Sequence, residues 1–274
     1  MPPIDYEVEY NNRARVPEHP AILAAWARDS AAYREANPPL SIPYGPTERQ
    51  AIDFFHASSP DHAAATVVFI HGGYWQNLSP ASLGHMARGL NARGVNVAVP
   101  GYDLCPQVRV GDIVEELRRA CRELARFERR LVVAGHSAGG HLAACMLATN
   151  WPAVDGALPR DFVCAAYAIS GLFDLRPLVP TSINGALRMD AVEADLLSPL
   201  TWAPPAGLSL DAVVGGAESA EYLRQSRTIV ERWGAAGVRT RFEAVPGANH
   251  FTVIAPLADP DSAMTRRVAA LALA

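Results

Sequence analysis

Apolar positions along the chain fall into two alternating rhythms. Over residues 18–36, Ile22, Trp26 and Tyr33 recur at spacings of four and seven, which predicts an amphipathic helix that Pro38-Pro39 stops. A turn-rich stretch leads to two strand-like runs, Ala51–His56 and Ala65–Ile70, and the Ser58-Ser59-Pro60-Asp61 between them reads as a hairpin connection. Short apolar strands then alternate with helical patterns: helix 81–93, strand Val95–Pro100, helix 111–130, strand Leu131–Gly135, helix 138–149 and strand 162–169. An irregular proline-containing segment, 171–207, precedes strand 208–215, helix 219–236, strand 238–245 and a terminal helix from about residue 260.

Strand–helix alternation of this kind implies βαβ units, and so an α/β fold whose mostly parallel central sheet carries helices on both faces. In helix 111–130, Ile113, Val114, Leu117, Cys121 and Leu124 share one face, while Arg118, Arg119, Arg122, Arg126, Glu116 and Glu123 crowd the rest. That arginine cluster reads as a solvated, ion-paired outer surface rather than an anion site. No internal repeat or linker interrupts the pattern, so residues 1–274 are expected to form one domain. Segment 171–207 is too long for an ordinary loop and is expected to be a small cap insert over the functional site.

Composition removes several function classes. The 274 residues carry a net charge of −4, with no basic footprint for nucleic acid or an anionic membrane surface. All 24 basic residues are arginine; the chain has no lysine, which excludes Schiff-base chemistry, a Walker-A phosphate loop and a Ser–Lys dyad. Cys105, Cys121, Cys145 and Cys164 form no CxxC pair and read as reduced core residues. Met1-Pro2-Pro3-Ile4-Asp5 has no secretory leader pattern, and no apolar run reaches the length of a membrane span. The expectation is a cytoplasmic protein acting on a small molecule, without a membrane or nucleic-acid partner. The sequence leaves a homodimer open.

The chemistry concentrates in two glycine-rich turns. Gly135-His136-Ser137-Ala138-Gly139 fits G-x-S-x-G, with the buried strand Leu131–Ala134 entering and the Ala-rich helix from Ala138 leaving. Strand, tight turn and helix are the setting that a nucleophile elbow requires, so Ser137 is the candidate nucleophile and the Ala138 amide a candidate oxyanion donor. His71-Gly72-Gly73-Tyr74-Trp75 directly follows strand Thr66–Ile70 and resembles the HGG oxyanion loop of lipases and esterases. The amides of Gly73 and Tyr74 take the oxyanion role, Gly72 shapes the turn, and His71 hydrogen-bonds to hold the loop. Because His136 and His141 are five apart and no HExxH occurs, no metal site is expected, and the chemistry requires no cofactor.

A serine nucleophile needs a base and an orienting acid later in the chain. Only His250 lies beyond the helix that follows Ser137, in the turn-rich Pro246-Gly247-Ala248-Asn249-His250-Phe251 after strand 238–245. The acid is expected at the end of the preceding strand, where Gly215-Gly216-Ala217-Glu218 points to Glu218. Asp174, after strand 162–169, and Glu221, in the next helix's first turn, are the competitors.

On these residues the chain resembles an α/β-hydrolase of the kynurenine formamidase (arylformamidase) type. The likeness rests on His71–Gln76, on Gly135–Ala144, and on the cap text Ser170–Val179 and Thr181–Asn184, and it runs from about residue 50 onward. It implies an α/β-hydrolase fold, nucleophile Ser137, base His250 and acid Glu218, and hydrolysis of an aryl formamide such as N-formyl-L-kynurenine to the amine and formate. The family's acid is commonly an aspartate, so Glu218 departs from the pattern by one methylene. Tyr74, Trp75, Trp202 and Phe251 are the expected aromatic wall for an aryl substrate. A carboxylesterase for short-chain or aryl esters would need the same machinery and differ only in pocket shape. A non-catalytic hydrolase fold used for binding is the third reading, which a fluorophosphonate label would separate from an enzyme.

Overall fold

The computed structural model describes residues 3–57 and 65–274. Eight strands form one sheet: β1 Leu40–Pro43, β2 Ala51–Phe55, β3 Thr66–Ile70, β4 Asn96–Pro100, β5 Leu131–His136, β6 Val163–Ile169, β7 Ser209–Gly215 and β8 Arg239–Val245. They lie in the order β1-β2-β4-β3-β5-β6-β7-β8. β1 and β2 are antiparallel to their neighbours, and from β4 to β8 every pairing is parallel.

Alternation along the strands divides the core in two. Val68, Ile70, Val133, Ala166, Ala212 and Val214 face helices Val110–Leu124, Ala138–Leu147 and Ala220–Ala235. Val67, Phe69, Val132, Ala134, Tyr167 and Val213 face Trp26, Met86, Leu90 and Val268 on the other side. Covering both faces is what a parallel sheet of near-continuous apolar strands needs. All four cysteines are free thiols, with Cys105, Cys121 and Cys145 buried.

Three sequence expectations change. β2 and β3 are not a hairpin: β4 lies between them, antiparallel to β2 and parallel to β3. Two apolar runs with a polar link do not disclose their pairing, and the 58–61 connection itself falls outside the described residues. Helix 111–130 ends at Leu124, and Glu128 beyond it accepts a hydrogen bond from Thr66 Oγ1. Glu116 is not on the solvated face. It is buried and accepts the Asp103 amide at 2.8 Å, whereas Arg118, Arg122 and Arg126 pair with Glu115, Asp155 and Glu123 on the outer surface. β1 and the short helices Tyr6–Tyr10 and Asn12–Arg15 carry no periodic signature of their own.

The tightest backbone approaches occur where β5 turns into helix Ala138–Leu147. A Cβ at Gly139 would stand 2.0 Å from the Ile70 carbonyl oxygen, and one at Gly135 would stand 2.1 Å from the Gly139 carbonyl oxygen. Neither obstacle is a side chain that can swing away. Gly139→Ala is therefore expected to lose about 2 kcal/mol or more in urea unfolding, whereas Gly156→Ala, whose Cβ meets nothing within 4 Å, stays within about 0.5 kcal/mol of the parent. Equal stabilities would show that the turn relaxes freely.

Candidate active site

Ser137 ends β5 and caps the following helix with φ 59° and ψ −118°, a conformation that non-glycine residues rarely adopt. Its backbone is fully engaged. The amide donates to Ile169 O at 2.8 Å, and the carbonyl accepts from Gly140 N and His141 N. Its side chain makes no capping bond, so the hydroxyl is left for other partners. The helix N-terminus behind it adds a favourable field for developing negative charge.

The loop after β3 presses directly on this turn. A Cβ at Gly72 would fall 2.7 Å from His136 O and 3.0 Å from Ser137 Cβ, so only glycine allows the approach. Gly73 (φ 100°) and Tyr74 (φ 50°) then curl the chain, and Gly73 O accepts from Gln76 N and Asn77 N. The amides of Gly73, Tyr74 and Ala138 donate to no acceptor among the described residues. His71 holds the loop as expected: it is fully buried, stacks on Tyr102 at 4.1 Å, and donates from Nδ1 to Gly72 O at 2.9 Å. Burial lowers its pKa to about 4, so the ring is neutral at pH 7.

His250 follows β8, and its Nδ1 donates to Glu218 Oε2 at 2.7 Å, both side chains being almost fully buried. The other oxygen of Glu218 accepts from Gly215 N at 2.7 Å and from Ser170 Oγ at 2.5 Å. Three donors thus fix this carboxylate, and the extra methylene relative to aspartate does not prevent contact with the imidazole. His136, next to Ser137, donates from Nε2 to His250 O at 2.8 Å and ties the histidine loop to the elbow. Burial, then the neighbouring His250, pushes the His136 pKa well below the usual histidine range.

The two competing acids lie elsewhere. Asp174 takes both nitrogens of an Arg176 fork, at 2.7 and 2.8 Å. Burial opposes its ionisation, but the Arg176 hydrogen bonds and charge leave its pKa lowered overall. Glu221 is buried against Arg224 and accepts from the Tyr10 hydroxyl at 2.9 Å.

A chain of hydroxyls joins the N-terminal residues to Tyr222. Tyr74 OH donates to the Tyr10 carbonyl at 2.8 Å, so at 2.6 Å from Tyr222 OH it must accept that proton. Tyr222 oxygen in turn accepts from Asn12 Nδ2 at 3.0 Å, and Ser137 lies beside it. Burial raises both phenol pKa values, which keeps them neutral. Ser137 Oγ and His250 Nε2 make no hydrogen bond with each other here; both side chains line the same cavity. Sequence motifs did not disclose Asn12, Ser170 or Tyr222, because each acts through contacts more than 30 residues away in the chain.

The cavity has a volume of about 300 Å³. Ser137, His136 and His250 lie in its wall together with Gly73 and Tyr74; Trp26, Phe251, Leu23, Leu78 and Ile183 supply apolar surface. Two of the expected aromatic-wall residues are not there. Trp75 is fully buried in the core, edge-on to His141 at 5.1 Å. Trp202 donates to Leu196 O and lies under the Arg118 guanidinium. Trp26, from the first long helix, takes their place. From the 171–207 segment only Ser182 and Ile183 reach the cavity; Glu7, Tyr10, Asn11, Asn12 and Arg13 contribute a further part of its wall. Among the described residues no group of three His, Cys, Asp or Glu side chains is arranged to hold a metal ion.

Comparison with known proteins agrees with this arrangement of elements. Residues 67–254 match the family described as alpha/beta hydrolase fold. The chain is 32% identical over 235 residues to the kynurenine formamidase of Danio rerio, covering 83% of this chain and 79% of that protein. It is 33% identical over 236 residues to the kynurenine formamidase of Salmo salar, with the same coverage. A solved structure, a putative thioesterase from Silicibacter sp. TM1040, superposes with a TM-score of 0.87 at 33% identity, covering 99% of this chain and 100% of that one.

The pairing of His250 with Glu218 generates a direct expectation. Glu218→Gln removes the charge that orients the imidazole and stabilises its protonated form, so kcat should fall on the order of 10³–10⁴-fold. Asp174→Asn should lower thermal stability and leave kcat within about tenfold of the parent, since its carboxylate serves Arg176. A larger kcat loss in the folded Asp174 variant than in the Glu218 variant would reverse the assignment.

Proposed function

Because the chain belongs to the kynurenine formamidase family of α/β-hydrolases, we propose that it hydrolyses an aryl formamide, N-formyl-L-kynurenine, to the arylamine and formate through a formyl-enzyme on Ser137. The observation that carries the catalytic assignment is the 2.7 Å His250–Glu218 pair, opening onto the cavity that also exposes Ser137. The Ser137 hydroxyl turns to His250 Nε2, which takes its proton as the oxygen attacks the formyl carbon. The amides of Gly73, Tyr74 and Ala138 receive the developing oxyanion. His250 returns the proton to the amine nitrogen as the C–N bond breaks. Water, deprotonated by His250, then attacks the formyl ester and releases formate and free Ser137.

The apolar surface of Trp26, Phe251 and Leu23 supports an aryl leaving group beside this machinery. No helix among the described residues is long and apolar enough to cross a membrane, and the free thiols support our placing the activity in the cytoplasm. Esterase or thioesterase activity is the second reading. It is favoured by the full-length similarity to the Silicibacter protein.

Acyl-chain dependence separates the two. A formyl group needs room for one hydrogen on the carbonyl carbon, so kcat/KM should fall from formyl to acetyl to butyryl on a common aryl leaving group. Each methylene forced into a filled space costs about 1–3 kcal/mol, or roughly 5- to 150-fold. Butyryl substrates outrunning formyl ones would favour the esterase reading.

A further inference from the structure

One wall residue of the cavity has no part in the chemistry above. Arg13 is the one arginine in that wall, and among the described residues it pairs with no carboxylate. Its neighbour Arg15, on the same short helix Asn12–Arg15, does have a partner in Glu9, at 3.8 Å. Arg13 is nevertheless not on a loose arm. Asn11 caps the helix by accepting Ala14 N at 3.1 Å, and the side chain of Asn12 is buried against Tyr222 and Tyr74. The backbone carrying Arg13 is thus anchored next to Asn12, which lines the same cavity as Ser137.

The rest of that rim is polar: Asn11, Gln76 and Asn77, with Glu7 bound to both the amide and the hydroxyl of Ser182 at 2.7 and 2.6 Å. Those two bonds lower the Glu7 pKa and keep its carboxylate charged. They also hold it on Ser182, and Glu7 and Arg13 form no ion pair. The rim therefore offers one guanidinium that is exposed, lines the cavity with Ser137, and has no carboxylate partner among the described residues. A planar fork of donors at such a place suits a carboxylate.

We propose that Arg13 is a specificity-determining residue that binds a carboxylate carried by the leaving-group portion of the substrate, so that it discriminates carboxylate-bearing aryl amides or esters from those without one. This rests on the reading of the cavity as a Ser137 hydrolase and narrows its substrate class. A neutral aryl formamide fits the same reaction but leaves the guanidinium without a partner.

The test compares two formamides, N-formyl-L-kynurenine and 2-formamidoacetophenone, which lacks the amino-acid side chain, in the parent, Arg13→Gln and Arg13→Lys proteins. In Arg13→Gln the ratio of kcat/KM for the two substrates is expected to fall about 10- to 100-fold, chiefly through KM for the carboxylate substrate. Arg13→Lys should recover part of the ratio, because it keeps the charge without the fork. Raising ionic strength should increase KM for N-formyl-L-kynurenine in the parent more than in Arg13→Gln. An unchanged ratio in Arg13→Gln, with N-formyl-L-kynurenine still hydrolysed, would overturn the role of Arg13 and leave the formamidase reading standing. Should the parent hydrolyse neither formamide, the same ratio is read from a carboxylate-bearing aryl acetate against a neutral one. Selective loss there would retain Arg13 and discard the formamide substrate, and an unchanged ratio would discard both.

Discussion

Everything at this site depends on backbone meeting backbone without a Cβ between. Gly139 packs on the Ile70 carbonyl, Gly135 on Gly139, and Gly72 on the peptide of His136 and the side chain of Ser137. These contacts hold the loop after β3 directly against the turn after β5. The same crowding drives Ser137 to a positive φ, lifting its hydroxyl out of the helix it caps. It also leaves three amides, those of Gly73, Tyr74 and Ala138, without an acceptor among the described residues. A strained serine and a set of unpaired donors are therefore two results of one packing constraint.

Around that core the remaining groups are held by hydrogen bonds from different parts of the sheet. Glu218 leaves β7 and is gripped by Gly215 and by Ser170 at the end of β6, before it meets His250 from the β8 loop. His136 reaches back from the elbow to the His250 carbonyl. The carboxyl ends of four neighbouring parallel strands thus contribute to one constellation, which is where an open α/β sheet places its ligand sites. The N-terminal residues complete it from outside the sheet, through Tyr10 and Asn12 on the Tyr74–Tyr222 pair.

Much of this was legible in the residues, for identifiable reasons. Parallel strands buried on both faces leave uninterrupted apolar runs, so β3 to β7 could be read almost to their ends. Helix 111–130, by contrast, stops at Leu124, and the expected helix 81–93 is broken into Pro80–Leu83, a 3-10 turn Gly84–Ala87 and Arg88–Asn91. Glycine spacing around Ser137 and after His71 reports a steric requirement directly. His250 followed because no other histidine lies downstream of the elbow's helix, and Glu218 because it sits where β7 ends. What could not be read depends on direction or on distant partners. Trp75 and Trp202 have the composition of an aromatic wall, but their side chains point into the core and under Arg118. The pairing of β2 with β4 rather than β3 is a long-range choice that local turn residues do not encode. The helices Tyr6–Tyr10 and Asn12–Arg15 are too short to show a period, and their importance lies wholly in contacts with residues some 60 to 210 positions away.

The central claim is that hydrolysis passes through Ser137. Its most direct measurement is mass spectrometry of the protein after reaction with a fluorophosphonate, followed by peptide mapping and assay of N-formyl-L-kynurenine hydrolysis on the same samples. The account predicts one adduct per chain, on the peptide that contains Ser137, with activity falling in proportion to the fraction modified. An adduct confined to another residue, or full formamidase activity in completely modified protein, would contradict it.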